Sequence, residues 1–183
     1  AITGPLNEGV NIPTEETLLS LLKEVGTMEI EAPKEEVINT ELVKKAPRAG
    51  KIKKTTTNAE LGTTEWTLSN GVKVVVKPTT FKQDEILLNA FSQGGLSLVA
   101  TEDLPSANLV TDVVSMMGLG DFSRTDLQKA LAGKTVSVDA SIGAYSETLS
   151  GSSSVKDLET MLQLVYLQFT APRYDEEAYQ TLI

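Results

Sequence analysis

The 183-residue chain contains no cysteine and no histidine. Without cysteine there is no disulfide, no thiolate nucleophile and no Cys-type zinc site, an absence that suits cytoplasm and periplasm equally. The missing histidine excludes more. Imidazole is the commonest metal ligand and the usual proton carrier near neutral pH, so triads and most catalytic zinc sites are ruled out within this chain. Carboxylate chemistry, lysine chemistry or no chemistry remain. Positive charge is also scarce: 16 Lys and Arg stand against 25 Asp and Glu, a net charge of -9. No basic cluster opposes that field, which argues against nucleic acid and anionic membrane surfaces as partners. No apolar run approaches the roughly 18 residues of a membrane span. The opening "AITGPLNEGV" has neither the basic nor the apolar region of a signal peptide. It also lacks an initiator methionine, and "EEAYQTLI" stops inside a helical pattern, so the chain reads as a piece of a longer protein.

Apolar residues make up 40% of the chain and charged residues 22%, a globular balance. "IPTEETLLSLLKEVG" predicts a helix over about residues 14–25, with Thr14 as N-cap, Glu15 and Glu16 at the positive end of the dipole and Gly26 at the stop. From Met28 to Glu60 the texture changes to prolines, alternating charge blocks and a threonine run, which reads as an extended connector with one short strand near Lys51–Thr55. Its lysines are interleaved with glutamates and read as solvated.

Ordered signals return at "TEWTLSNGVKVVVKPT", where two strand-forming runs flank Asn70-Gly71, a hairpin signal. "DEILLNAFSQGG" reads as a third strand closed by Gly94-Gly95, and "LSLVA" as a short strand-like run. "SANLVTDVVSMMG", Ser106 to Gly118, reads as a buried helix with one carboxylate, Asp112. "SRTDLQKALAGK" predicts a helix capped by Ser123, with Asp126 in the capping-box position and a stop at Gly133. "TVSVDASIGAYSETLSGSSS" alternates as two strands turning near Gly143–Ser146. "SVKDLETMLQLVYLQFTAP" predicts a long helix capped by Ser154 and Asp157, with Val155, Leu158, Met161, Leu162, Val165 and Phe169 as its apolar stripe, ended by Pro172. The fold class is thus α+β: a mainly antiparallel sheet backed by helices.

No group of residues here calls for a catalytic, cofactor or metal assignment. Gly94-Gly95 has no surrounding phosphate-loop pattern and reads as a strand terminus or bulge. The "SETLSGSSS" hydroxyls lack a G-x-S-x-G context. Glu102-Asp103 and Asp175-Glu176-Glu177 fit a pre-helix loop and a helix first turn. Met116-Met117 reads as core, and Trp66 as an anchor of the sheet to the connector.

The order of these elements, with local phrases, resembles insulinase/pitrilysin-type zinc metallopeptidase domains. "TLSNGVKVVVKPT" looks like their opening hairpin. The stretch from "DFSRTDLQKAL" to "APRYDEEAY" is similar to the segment C-terminal to their active-site helix. In active members that helix carries H-x-x-E-H, two zinc-binding histidines one turn apart and a water-activating glutamate. Counting back from "GLGDFS" sets this motif against Leu109, Val110, Thr111, Asp112 and Val113. Aliphatic Leu109 and Val113 would stand where the histidines stand, and Asp112 where the glutamate stands.

The resemblance therefore implies a non-catalytic repeat of a long bacterial member, present as a partial domain. Residues 1–60 are the implied tail of a preceding domain plus connector, and 61–183 the front part of an insulinase-like domain. It implies no metal or cofactor in this segment, and zinc in the catalytic domain of a parent metalloendopeptidase. The implied partners are other domains of that parent and a peptide substrate held in an enclosed chamber. The implied compartment is the periplasm, with the cytoplasm as alternative. A structural or assembly subunit that kept the fold without proteolysis is the competing reading, and an unrelated carboxylate enzyme a third.

Overall fold

The computed structural model describes residues 13–29 and 41–182. Two compact units divide the chain, 1–37 and 38–183. In the first, α1 (Glu15–Thr27) starts as expected: Thr14 is the N-cap and its side chain accepts from the Thr17 N–H. Its leucines form no core of their own, and Leu19, Leu21, Leu22 and Val25 are all exposed. Residues 1–12 and 30–40, which hold most of the expected domain tail and part of the connector, lie outside the described residues.

The second unit holds two three-stranded antiparallel sheets, ordered β1-β2-β3 and β4-β6-β5. The first comprises β1 (Ile52–Asn58), β2 (Thr63–Leu68) and β3 (Lys73–Val76). Trp66 sits on the central strand, opposite Thr55 of β1 and Val74 of β3. The β2–β3 turn contains Asn70-Gly71, but the loop is three residues long: Gly71 N–H donates to Leu68 O and Leu68 N–H to Val72 O. Gly71 takes φ +92°, the left-handed conformation that a three-residue hairpin needs at its end.

The second sheet, β4 (Ile86–Gln93), β5 (Val136–Ile142) and β6 (Ser146–Ser153), is covered on one face by helices. Its alternation decides which face. A Cβ on Gly151 would lie 3.2 Å from the Met161 sulfur, so the odd-numbered positions of β6 face α4 (Leu158–Thr170). Leu149 and Ser153 on that face are buried, and Val136 and Val138 of β5 pack against the core from the same side. Glycine at 151 lets Met161, only 1% exposed, press close to the sheet.

The core combines Leu119, Phe122, Ala130, Leu164 and Leu167 with Leu42. Residues 41–60 thus fold with the second unit: Leu42 enters its core, Lys44 pairs with Asp121 at 2.6 Å, and β1 joins β2. The unit begins before residue 61, in a stretch whose composition alone reads as connector. Around Leu119 the chain doubles back through a tight "GLGDF" turn. A Cβ on Gly118 would meet Phe122 O at 2.2 Å, so only glycine allows the closure.

Between β4 and α3 (Arg124–Ala130) the structure corrects three expectations. "LSLVA" is no strand: Gly95–Leu98 is a 3-10 turn, because Gly95 at φ +59° swings the chain out of the extended region. The following helix, α2 (Leu104–Met116), has no buried residue, and Leu109 is 59% exposed, so it does not fill a core within this chain. Of the methionine pair only Met117 is buried, while Met116 lies on the surface. α3 keeps its expected cap, with Ser123 Oγ accepting from the Asp126 N–H and donating to the Asp126 carboxylate.

The apolar stripe of α4 is also corrected. Thr160, Met161, Leu164 and Leu167 form the buried face, whereas Val155, Leu162 and Phe169 are exposed. The last helix, α5 (Glu176–Leu182), comes after Pro172, which bridges to Leu119.

Candidate functional site

Two places bear on function: the helix set against the family's zinc motif, and the sheet beside it. α2 lies against β5, the 95–98 turn and α5. It starts with Pro105 in its first turn, where the missing N–H costs nothing. Along it Leu109, Val110 and Asp112 are exposed, and Thr111 and Val113 half-buried. The five positions are therefore accessible, but their chemistry does not fit zinc. Leu109 and Val113 carry no donor atom, and one carboxylate at Asp112 cannot supply a tetrahedral site. Among the described residues no three His, Cys, Asp or Glu side chains cluster as metal ligands would.

The other acidic groups have local work. Asp175 accepts from Arg173 Nη2 at 2.9 Å and from the Ala178 N–H at 3.1 Å, so it caps α5. Those bonds hold its carboxyl below the usual aspartate range. Glu176 accepts from the Tyr174 hydroxyl and from Gln180, which lowers it likewise. Glu102 and Asp103 lie exposed in a 3-10 turn ahead of α2.

Gly94-Gly95 is a built junction. Its backbone is stitched to the β5–β6 hairpin: Gly94 N–H donates to Tyr145 O, Leu96 N–H to Gly143 O and Ser97 N–H to Ala144 O, each at 2.9 Å. The remaining donor, Gly95 N–H, goes to the Glu147 carboxylate at 2.7 Å, and Ser92 Oγ donates to the other oxygen at 2.5 Å. These two bonds, Ser92 first, hold the Glu147 carboxyl below its ordinary value. With the amides so committed, no free N–H is left at 94–97 to cradle a phosphate. Residue type alone groups Glu147 with the serine run and misses this junction. Strand parity is the available signal: Glu147 shares the odd-numbered face with Leu149 and buried Ser153, where an acid needs partners.

The opposite face of the β4-β6-β5 sheet has a different character. Ser150 and Ser152 of β6 stand there beside Asn89 and Leu87 of β4 and Asp139 and Ser137 of β5. Ser137 and Ser152 hydroxyls meet at 3.0 Å, and Ser141 and Thr148 at 2.6 Å. Over this polar surface β4, an edge strand, presents Leu87 at 74% and Phe91 at 77% exposure. Backbone groups on the free side of an edge strand can pair with an extended chain, and bare apolar side chains on it can grip one.

This architecture, antiparallel sheets with helices over one face of the second, is that of insulinase-type peptidase domains. No family model matches the chain. The chain is 34% identical over 136 residues to the zinc protease PQQL-like protein of Arabidopsis thaliana, a match covering 74% of this chain and 12% of that protein. The periplasmic protease PqqL of Escherichia coli shares the fold, with a TM-score of 0.74 at 23% identity over 93% of this chain and 19% of PqqL. A variant of the ferredoxin protease FusC, solved in complex with Arabidopsis ferredoxin, gives 0.71 at 24% identity over 94% of this chain and 19% of FusC. The chain belongs to the insulinase/pitrilysin-type zinc metallopeptidase family and corresponds to a segment of its long members.

Proposed function

We propose that this chain is a non-catalytic segment of a zinc metallopeptidase and forms part of the wall of a chamber that encloses peptides. The observation that carries the reading is the one-sided burial of the β4-β6-β5 sheet: helices cover one face, and a hydroxyl-rich face with exposed Leu87 and Phe91 stays open. Such a face suits a water-filled enclosure. It offers hydrogen bonds everywhere, a strand edge for backbone pairing and two apolar holds, without side chains specific to one sequence. α2 contributes structure and no metal ligand, since Leu109 and Val113 have nothing with which to bind zinc.

On this reading zinc sits in another domain of the parent protein, and the second unit, with residues 41–60 folded into it, forms the front of an inactive repeat. Its partners are the other domains and a polypeptide substrate; FusC, which shares the fold, is a protease solved in complex with ferredoxin. The parent works in the periplasm, as PqqL does.

Asp112 supplies the test, because it occupies the position of a general base. A true general base contributes about 10²–10⁴-fold to rate, yet a base without a metal-bound water beside it has nothing to activate. Asp112→Asn in the full-length protein is expected to leave cleavage of a fluorogenic peptide within a few-fold of wild type. The 183-residue chain alone is expected to cleave nothing at any zinc concentration. A loss of kcat of about 10²-fold with stability intact overturns the non-catalytic assignment. A full-length protein that hydrolyses no peptide under any metal condition favours the structural-subunit reading instead.

A further inference from the structure

Positive charge is concentrated in one stretch of this acidic chain. Residues 42–59 hold six cations, Lys44, Lys45, Arg48, Lys51, Lys53 and Lys54, and no Asp or Glu. The glutamates that interleave the lysines of the 28–60 stretch all lie outside 42–59. The other ten Lys and Arg face all 25 Asp and Glu. Lys44 is engaged by Asp121, whereas Lys45, Arg48, Lys51, Lys53 and Lys54 are exposed and make no ion pair among the described residues. Beside the β2–β3 turn Arg48 and Lys51 line a cleft of about 530 Å³ together with Leu68, Ser69 and Asn70. Ser69 N–H donates to Lys51 O at 2.8 Å, which ties the two walls together. The side chains of the cleft are left with donors to offer. Asn70 Oδ1 already accepts from the Val72 N–H, and Ser69 Oγ from the Lys51 N–H, each at 3.2 Å. The Asn70 amide NH2, the Ser69 hydroxyl proton, the guanidinium and the ammonium remain. Among the described residues no carboxylate lines the cleft.

We propose that this cleft, with the cations beside it, binds an acidic stretch of polypeptide. Donors without acceptors suit ionised carboxylates, which only accept. The spread of charge selects a run of carboxylates over one small anion. Arg48 to Lys54 covers up to about 20 Å of extended chain, so a lone phosphate meets one or two cations, whereas successive Asp and Glu side chains of an extended peptide meet several. The rest of the chain selects polypeptide over nucleic acid. A strand of phosphates would run off this short patch into a surface that carries the acidic residues, and be repelled there. The binding does not depend on whether the parent protein hydrolyses peptides.

The probe is an octaglutamate peptide carrying a neutral fluorophore, titrated with the 183-residue chain and followed by fluorescence anisotropy. A Gly-Ser peptide of the same length is the neutral reference. The acidic peptide is expected to bind and the reference not. Arg48→Glu combined with Lys51→Glu should weaken the acidic peptide by at least about tenfold, since two exposed attractions are each lost and turned repulsive. Lys129→Glu combined with Lys156→Glu makes the same change of net charge at exposed positions elsewhere and should leave the affinity within about twofold, as distant exposed charges are screened. Equal losses in the two double variants would reduce the effect to overall charge and overturn the site. So would equal binding of the neutral reference. Displacement of the peptide by inorganic phosphate at constant ionic strength would mark a single-anion site and overturn the polypeptide as occupant. Tighter binding of a single-stranded oligonucleotide of equal charge would do the same in favour of nucleic acid. Should the first double variant fail to fold, Arg48→Gln with Lys51→Gln removes both charges at similar bulk and is judged against Lys129→Gln with Lys156→Gln by the same comparison.

Discussion

Alanine at Gly95 tests the junction between β4 and α2. Gly95 holds φ +59°, and a Cβ there would stand 2.3 Å from Gly143 O, 2.6 Å from Ser146 N and 3.0 Å from Ser146 O. All three are backbone atoms of a hairpin and cannot swing aside. The left-handed conformation alone costs an alanine about 1–2 kcal/mol. Relief of the clash requires the turn to part from the hairpin, loosening the bonds from Gly94, Leu96 and Ser97, each worth a net of about 0.5–1.5 kcal/mol. Gly95→Ala should therefore destabilise by about 3–5 kcal/mol. Gly133 is the control, with φ +77° and nothing within 4 Å of its would-be Cβ, so Gly133→Ala should cost only about 1–2 kcal/mol. Urea denaturation of the 183-residue chain with matched m-values measures both. Equal losses would refute the packing argument and leave only a preference for glycine's conformation.

Met161→Ala should cost about 2–5 kcal/mol, since the side chain is almost wholly enclosed between α4 and Gly151. Leu109→Ala should stay within about 0.5 kcal/mol in the same chain, because Leu109 is 59% exposed; a loss comparable to that of Met161→Ala would contradict the position of α2. Asp157 accepts from the Thr135 N–H at 2.8 Å and from Ser154 Oγ at 2.7 Å, and these bonds, in that order, lower its carboxyl pKa. A lowered folded-state pKa stabilises above the unfolded value of about 3.9 and is lost as pH falls through the folded one. Asp157→Asn should accordingly flatten the fall in stability below about pH 4. An unchanged acid profile would show that the carboxylate's charge is immaterial.

Features set by local chemistry are legible in the residues. The Asn70-Gly71 turn, the Ser123 cap and the two strands turning near Gly143 need only nearby atoms, and all three are present. Burial is harder to read, because periodicity reports that a face is apolar and not what covers it. On α4 the two apolar lines lie side by side, and the choice between them depends on the sheet beneath and on the glycine at 151. On α2 the helix is legible, but its exposure is not, since Leu109 is as apolar outside a core as within one. The run "LSLVA" misleads for a smaller reason: five apolar-rich residues fit a strand or a 3-10 turn, and Gly95's positive φ decides. Nor can composition show that residues 41–60, dense in charge and threonine, send Leu42 into the core.

The open face of the β4-β6-β5 sheet is the part of the molecule proposed to meet peptide without performing chemistry. Phe91→Ala in the full-length protein addresses this most directly, because Phe91 is 77% exposed and its loss leaves the core intact. Removing a contact made equally to bound substrate and transition state raises KM and leaves kcat unchanged. Steady-state cleavage of a fluorogenic peptide is predicted to show that split. An unchanged KM, or a fall in kcat at constant KM, would contradict it.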